Sequence, residues 1–198
     1  VTPGNAKYNL GYCYYRKENY RQAVNFFEQV GKNPALNAKP VEQDAYIRSA
    51  DCYYMNKDFS RARAMYNTVI NNSWPSADYA TFQTAMVSGV NSSTEKINLL
   101  KSFDKKFPTS MLIPDANLEI AKTYLADEKY RDALPYLNNV INAPVAGNLK
   151  PEAQLKLGLS YYNLDNNNEA LNQFKKLASQ YPNSPEAEEA IENVKAIY

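Results

Sequence analysis

Residues 157–182 read LGLSYYNLDNNNEALNQFKKLASQYP, and this stretch decides the fold. A small residue, Gly158, is followed three residues later by Tyr161. The second half of the stretch contributes an alanine, an aromatic and an apolar residue at spacings of four and three, namely Ala170, Phe174 and Leu177. Such spacings place side chains on one face of an α-helix. The stretch therefore predicts two helices, with the bulky side chains of one packed against the small residues of the other.

The same pattern recurs in five copies along the chain, and a fixed period of this kind is typical of repeat architectures. The other four copies are Gly11, Tyr14, Ala23, Phe27 and Val30; Ala50, Tyr53, Ala62, Tyr66 and Val69; Thr84, Val87, Lys96, Leu100 and Phe103; and Ala121, Tyr124, Ala133, Leu137 and Val140. The third copy is the weakest. The copies predict repeats at about 3–36, 40–74, 75–110, 114–147 and 151–184, followed by a terminal helix at 185–198.

Start signals for helices support this division. A proline stands at or just before the first turn of five predicted helices, where its missing N–H costs nothing: Pro40, Pro75, Pro114, Pro151 and Pro185. Residues whose side chains cap helix N-termini open the second helices: Asn19, Asp58, Ser92 and Asn166. Alternation typical of strands is absent from the sequence. The fold is therefore predicted to be all-α.

These motifs resemble the tetratricopeptide repeat family, whose signature is matched by Leu10-Gly11, Tyr14, Ala23 and Phe27, and best by the fifth copy with its closing Pro182. The resemblance spans essentially the whole chain. It implies a single right-handed α-solenoid over residues 1–198, in which each helix pair stacks on the next and the first helices line a concave groove.

Three features depart from the family pattern. The first-helix tryptophan slot holds Lys7, Tyr46, Ala80, Asn117 and Gln154 in the five copies. Lys96 occupies the alanine slot of the third copy, where its charged end must reach solvent or push the helices apart. Pro135 falls inside a predicted second helix and should kink it or shorten its first turns.

The terminal segment has an amphipathic pattern of its own. Its apolar residues fall on one helical face, namely Ala187, Ala190, Ile191, Val194 and Ile197. Two interpretations stay open. The helix caps the array, or it is the first helix of a truncated sixth repeat.

Composition excludes several classes of function. The 198 residues carry 22 Lys and Arg against 21 Asp and Glu, without a run of like charges. This argues against nucleic-acid binding and against a polybasic membrane patch. The chain has no histidine, which removes the commonest general base and metal ligand. Asp44, Asp51, Asp78, Asp115 and Glu119 sit mostly in first turns, where the helix dipole accounts for them. We expect no enzyme, no cofactor and no metal site.

The two cysteines, Cys13 and Cys52, occupy the same slot in adjacent copies. We interpret both as small buried side chains that stay reduced. Equivalent points in stacked helix pairs are expected to be too far apart for a disulfide.

Tyrosine is abundant, with 17 residues, and the first helix carries two stripes of side chains. Leu10, Gly11 and Tyr14 form the predicted core stripe. A second stripe, at Tyr8, Tyr12 and Tyr15, points well over a hundred degrees away. This second stripe either packs against the next repeat or forms a binding surface.

The binding interpretation places a partner site in the concave groove. Its candidate residues are Tyr8, Tyr12, Tyr15, Arg16, Arg48, Asp51, Tyr54, Phe82, Lys122 and Tyr162. The Lys and Asn clamp that some family members use for a terminal carboxylate is not recognisable at these slots.

The function predicted from the resemblance is a non-enzymatic scaffold that holds a protein or peptide. Two junctions, at residues 107–110 and 181–187, look like those of bacterial cell-envelope members such as Tol–Pal accessory and outer-membrane assembly proteins. They favour a periplasmic setting, with a cytoplasmic scaffold as the alternative. A carbohydrate-binding envelope protein is the rival function. We also expect that molecules of this protein can associate end to end.

The chain begins without an initiator methionine or a charged-then-apolar leader, so we expect a mature product or an excised piece. Its longest apolar stretches are far shorter than the roughly 20 residues that span a bilayer.

Overall fold

The computed structural model describes residues 2–198, and the regular structure in that range is entirely helical. Twelve helices are found there. Their bounds are α1 Pro3–Arg16, α2 Tyr20–Gly31, α3 Pro40–Met55, α4 Phe59–Asn71, α5 Ala77–Gly89, α6 Ser93–Lys101, α7 Phe103–Lys106, α8 Ile113–Ala126, α9 Tyr130–Asn142, α10 Leu149–Asn163, α11 Asn167–Gln180 and α12 Pro185–Ile197. The all-α prediction is confirmed.

The helices follow one another as hairpins, and the first, second, fourth and fifth predicted copies each supply one packed pair. Helix α1 packs against α2, α3 against α4, α8 against α9, and α10 against α11. Successive pairs are joined in the same way, because α2 also packs against α3, α4 against α5, and α9 against α10. The third copy corresponds to α5 and α6, with the four-residue α7 as a broken continuation after Ser102.

The slots of the repeat pattern form the core. Fully buried second-helix residues recur in the same order: Ala23 and Phe27; Ala62, Tyr66 and Val69; Ala133, Leu137 and Val140; and Ala170, Phe174 and Leu177. The small first-helix residue has the predicted purpose. A methyl group added to Gly158 would come within 2.5 Å of the Phe174 ring, and one added to Gly11 within 2.7 Å of the Phe27 ring. Close approach of the paired helices therefore requires glycine at these two positions.

Second helices begin at the predicted caps. The side chains of Asn19, Asp58 and Asn166 each accept a hydrogen bond from the backbone N–H three residues on, at 3.2, 3.3 and 3.2 Å. Ser92 accepts from the Glu95 N–H at 3.1 Å. These bonds satisfy donors that a helix N-terminus leaves without an intrahelical partner.

The turn within a pair uses a left-handed residue at a constant slot, seven positions after the small residue. Four copies have it, at Glu18, Lys57, Glu128 and Asp165, with φ of 58°, 63°, 56° and 58°. The third copy does not share it. Non-glycine residues pay about 1–2 kcal/mol for this conformation. The recurrence shows that tertiary packing fixes the turn.

The predicted departures have different outcomes. Helix α9 starts at Tyr130 and runs through Pro135 to Asn142, so the expected shortening is wrong. A proline five residues after the first helical residue removes one main-chain bond, and the rest of the helix persists.

Lys96 is half-buried, and its aliphatic chain lies over Gly89, where a methyl group would meet the Lys96 Cδ at 2.7 Å. A glycine thus makes room for the lysine stem.

The chain divides into two compact units, one up to Lys96 (unit 1) and one from Ile97 to Tyr198 (unit 2). The boundary falls within α6. The prediction of one uninterrupted array over the whole chain stays a prediction.

Leu10 differs from the predicted core stripe because it is 43% exposed, whereas the equivalent Leu157 is 2% exposed. Leu157 lies in a cluster with residues of the preceding pair, including Leu118 and Leu137. The described chain offers α1 no preceding pair, so the same slot is uncovered.

Helix α12 packs against α10 and α11 through Ala187 and Ala190, which are buried in one cluster with Phe174. Ile191, predicted on the same apolar face, is 45% exposed. The buried stripe of α12 is therefore narrower than its sequence pattern indicates.

Candidate partner-binding site

The first helices of unit 1 are α1, α3 and α5, and their polar residues meet in one network. On α3, Asp44, Arg48 and Asp51 are spaced by four and three, so one face of the helix carries all three. Helix α1 supplies tyrosines on one side and α5 supplies a tyrosine on the other. The residues of this tyrosine–aspartate network are Tyr8, Tyr12, Asp44, Arg48, Asp51, Tyr66 and Tyr79.

Asp44 joins α1 to α3. The hydroxyls of Tyr8 and Tyr12 donate to its Oδ2 at 2.6 and 2.5 Å. Its other oxygen, Oδ1, lies 3.5 Å from the Arg48 Nε. That last distance is beyond the usual 2.7–3.2 Å, so the contact is weak. The Asp44 side chain is 31% exposed, and solvent reaches this carboxylate.

Asp51 is the buried counterpart, with 3% of its surface exposed. Arg48 Nη1 donates to its Oδ2 at 2.5 Å, and the Tyr79 hydroxyl donates to the same oxygen at 3.0 Å. Its Oδ1 accepts from the Tyr66 hydroxyl. The Arg48 guanidinium also lies over the Tyr79 ring, 5.2 Å from its centroid. A buried carboxylate with three donors, one of them cationic, is well compensated.

Burial and charge shift the titration of these groups. Burial is the largest influence on the Asp51 carboxyl and raises its pKa, although Arg48, Tyr66 and Tyr79 each act to lower it. Burial lowers the pKa of Arg48, but Asp51, Tyr79 and Asp44 outweigh this effect, so the net pKa is raised. Arg48 therefore stays charged throughout the accessible pH range.

The tyrosines of the network ionise only at high pH, for the same reasons. Burial, followed by the hydrogen bond to Asp44, raises the pKa of Tyr8 and Tyr12. Burial and the nearby Asp51 charge raise the pKa of Tyr66 and Tyr79. The hydroxyls are therefore protonated donors at neutral pH.

The network is also packed. The rings of Tyr8 and Tyr12 meet the Phe27 ring edge to face, with centroids 6.1 and 5.2 Å apart, and Tyr15 meets Tyr20 at 5.3 Å. The position of the second stripe on the helix suggested that it is separate from the core, but the structure shows that it is not. Its three side chains are half-buried.

Comparison with known proteins gives the family. Two family models, both described as Tetratricopeptide repeat, match residues 8–77 and 152–184. The chain is a tetratricopeptide-repeat protein. Proteins of this family are generally non-enzymatic scaffolds that bind protein or peptide partners. A search of curated proteins found no significant match.

Solved structures with the same fold cover nearly all of this tetratricopeptide chain. MamA from Desulfovibrio magneticus RS-1 has a TM-score of 0.67 at 12% identity, over 92% of this chain and 97% of that one. A thermophilic TPR protein of Thermus thermophilus has a TM-score of 0.60 at 16% identity, over 98% of each. YrrB, described as a TPR protein with an unusual peptide-binding site, has a TM-score of 0.60 at 13% identity, over 94% of this chain and 90% of that one. These identities show the fold alone.

The structure places the candidate residues of the predicted groove in different environments. It brings Tyr8, Tyr12, Arg48 and Asp51 into one network, but Asp51 is buried and reaches solvent only through its neighbours. The others on these helices lie nearby or at the edges: Tyr15 and Phe82 are half-buried, Arg16 is exposed, and Tyr54 packs on Phe59 at 5.6 Å. Whether they touch a partner stays a prediction.

Two candidates lie in unit 2. Lys122 is exposed and pairs with Glu119 at 2.8 Å, and Tyr162 is 43% exposed. The repeat position equivalent to Arg48 is occupied by Glu119 in α8 and by Lys156 in α10. Lys156 pairs with Glu152 at 3.6 Å.

Sequence reasoning missed Asp44, Tyr66 and Tyr79 as members of the network. The signal for Asp44 was present, because it precedes Arg48 by four and Asp51 by seven. Asp44 and Asp51 are the fifth and twelfth residues of α3, so the helix dipole does not account for them. Tyr66 sits in the aromatic core slot, and only its hydroxyl distinguishes it from the phenylalanine of other copies.

The two cysteines are both free, but their environments differ. Cys52 is fully buried in a cluster with Ala23 and Phe27, whereas Cys13 is exposed. The expectation that both are buried is therefore wrong for Cys13. As with Leu10, no helix pair within residues 2–198 covers this slot, whereas α2 covers Cys52. Burial raises the pKa of the Cys52 thiol to about 12.

Metal sites and membrane spans are not found in the described part of the chain. Over residues 2–198, no group of three or more Cys, Asp or Glu side chains is placed to hold a metal ion. No helix in the same range combines the length and apolarity needed to cross a membrane.

Proposed function

We propose that this protein holds a peptide or protein partner on one surface of unit 1. This first-helix face consists of the exposed and half-exposed residues of α1, α3 and α5: Tyr8, Tyr12, Tyr15, Arg16, Asp44, Arg48, Tyr54 and Phe82. Tetratricopeptide proteins bind partners in general, and YrrB, which shares the fold, is described as having a peptide-binding site. The residues of this surface support assigning the same kind of function here.

The observation that carries the proposal is the fixed position of the tyrosine rings. Tyr8 and Tyr12 are held at both ends, by Phe27 against the ring and by Asp44 at the hydroxyl. Side chains that are already ordered lose little conformational entropy on binding. Tyrosine also supplies a large contact area, and it is enriched in interfaces for this reason.

The rival proposal, carbohydrate binding, gains no support from this surface. Sugar hydroxyls need free hydrogen-bond donors as well as acceptors beside the rings. The hydroxyls of Tyr8 and Tyr12 are already donated to Asp44, and those of Tyr66 and Tyr79 to Asp51. Rings with committed hydroxyls suit apolar and cationic contacts better.

Photo-crosslinking tests the proposal with a matched pair of sites. Arg16 and Arg21 are both exposed, but only Arg16 continues the stripe of Tyr8 and Tyr12, while Arg21 lies on α2. A benzophenone amino acid at each position is expected to give a discrete adduct in cells at Arg16 and none at Arg21. Equal adducts at both sites, or adducts at Arg21 alone, would place the interaction outside the first-helix face.

We extend the proposal to assembly work in a bacterial cell envelope, with the periplasm as the compartment. The support is the similarity of residues 107–110 and 181–187 to junctions of envelope proteins. Fractionation of the tagged full-length protein in its source organism tests this placement. Recovery with the envelope is expected, and recovery in the cytoplasmic fraction alone would contradict it.

A further inference from the structure

The charge of the first-helix face points to a particular class of partner. Near the network, two carboxylates, Asp44 and Asp51, face one guanidinium, that of Arg48. Arg48 makes its short contact with Asp51, at 2.5 Å, and only the long contact, at 3.5 Å, with Asp44. Arg48 therefore neutralises mainly the Asp51 carboxylate. Asp44 keeps a negative charge that two neutral hydroxyls stabilise without neutralising.

Asp44 also keeps hydrogen-bonding capacity on its solvent side. A carboxylate offers about four acceptor sites on its two oxygens. Tyr8 and Tyr12 both donate to Oδ2, and among residues 2–198 Oδ1 has only the distant Arg48 Nε. With 31% of the side chain exposed, Oδ1 can accept from a partner.

The surroundings of Asp44 suit a cation with an apolar stem. The half-exposed rings of Tyr8 and Tyr12 stand edge to face beside it, with centroids 5.0 Å apart. Aromatic faces attract lysine and arginine side chains, and more strongly where water is partly excluded.

The same slot recurs as an acid. Asp44 lies six residues before the small residue of its copy, and Asp78 holds that position in the next copy of unit 1. In unit 2 the position is filled by Asp115 and Glu152. All four are half-exposed. Asp78, Asp115 and Glu152 are first-turn residues, which the helix dipole accounts for, whereas Asp44 is the fifth residue of α3.

From this charge complementarity we infer that the partner presents a basic peptide segment, with a lysine or arginine side chain seated on Asp44 between Tyr8 and Tyr12. The inference rests on the proposed function, because it names the chemistry of the partner at the same surface. Such a contact is a charge-assisted hydrogen bond with a cation–π contribution beside it.

The test begins with peptides selected from a random display library against the purified protein. Selected sequences are expected to share a lysine or arginine. In a fluorescence anisotropy titration, replacing that residue with norleucine, which keeps the stem and removes the charge, should weaken binding about tenfold. Asp44→Asn keeps an oxygen for the tyrosines and removes the charge, and it should weaken the basic peptide by about the same factor. Glu18→Gln removes a charge from the turn between α1 and α2 and should have no effect.

The double change separates a direct contact from an indirect one. On Asp44→Asn, the lysine and norleucine peptides should bind equally well, because the partner charge has lost its counterpart. Full discrimination retained by Asp44→Asn would overturn the inference. Thermal unfolding of each variant establishes that the fold is intact. If Asp44→Asn does not fold, reversing the peptide charge to glutamate on the wild-type protein gives the same decision.

The failures of the two proposals can be told apart. Peptides that bind the first-helix face without a basic residue, as judged by crosslinking from Arg16, would refute this inference and leave the proposed function standing. Peptides that crosslink only from Arg21, or a library that yields no binder, would count against both.

Discussion

At the scale of single residues, Asp51 has the most demanding environment in the described structure. It is a buried carboxylate that depends on Arg48, Tyr66 and Tyr79 for its stabilisation. Asp51→Ala would leave the Arg48 charge without its short partner and two hydroxyls without their acceptor. Breaking a buried pair from one side costs about 3–5 kcal/mol.

We therefore expect Asp51→Ala to lower the free energy of unfolding by about 3 kcal/mol or more, measured by urea denaturation. Asp127→Ala is the control, since Asp127 is exposed and its contact with Lys129 is 3.8 Å. It should change stability by less than about 0.5 kcal/mol. Equal effects of the two substitutions would show that the network does not hold α3 to its neighbours.

The cysteines offer a second prediction at this scale. Cys13 is exposed, and Cys52 is buried with its pKa raised to about 12 by burial. Because only the thiolate reacts, iodoacetamide at pH 8 should modify Cys13 rapidly and leave Cys52 unmodified until the protein unfolds. Peptide mapping by mass spectrometry measures both rates. Comparable rates in the folded protein would contradict the packing of α3 against α2.

At the scale of helices and turns, the left-handed residue between paired helices is a built-in strain. Lys57 has φ of 63°, whereas its neighbour Asn56 has φ of −82°. Lys57→Gly should raise the free energy of unfolding by about 0.5–1 kcal/mol, because glycine adopts this conformation without the Cβ penalty. Asn56→Gly should lower it or leave it unchanged. Stabilisation by the second change and not the first would refute the assigned turn.

The repeat pattern predicted the elements well, and physical periodicity is the reason. Small and aromatic residues at spacings of three, four and nine locate both helices of each pair, and cap residues such as Asn19 and Asp58 locate their starts. These are local signals. Helix α9 continued through Pro135 because packing on both sides outweighs one lost hydrogen bond.

The candidate site was predicted less completely, since its contacts join residues distant in sequence. The stripe at Tyr8 and Tyr12 was visible from spacing alone, but its partner Asp44 is more than thirty residues away. Exposure of Leu10 and Cys13 could not be read from their slots either. Equivalent slots are buried in the second, fourth and fifth copies, and the difference depends on which helix pair covers them.

At the scale of the whole molecule, the tyrosines with raised pKa values concentrate in unit 1. They include Tyr8, Tyr12, Tyr66 and Tyr79, as well as Tyr15, whose pKa burial raises to about 12. The unfolded chain ionises its tyrosines near pH 10, whereas the folded chain keeps these protonated. A pKa raised in the folded state gives stability that is present below the unfolded value and is lost as pH rises.

Stability should therefore begin to fall at about pH 9, where the Cys52 thiol ionises in the unfolded chain, and fall more steeply above about pH 10. Urea midpoints at a series of pH values measure this. Tyr66→Phe should flatten the fall, because it removes one of the shifted groups. A midpoint that rises above pH 10 would contradict the buried network.

Self-association end to end remains a prediction at this scale, and sedimentation velocity over a range of protein concentrations would test it. A sedimentation coefficient that rises with protein concentration is expected if two molecules of the protein associate. A single species of constant size would exclude the pairing.

The central claim is that the first-helix face of unit 1 holds the partner, and amide hydrogen exchange measures this most directly. The complex would contain the full chain and the partner identified by crosslinking from Arg16. The account predicts slower exchange in α1, α3 and α5 on binding, with α2 and α4 unchanged. Protection confined to α2 and α4, or to the loops between pairs, would contradict it.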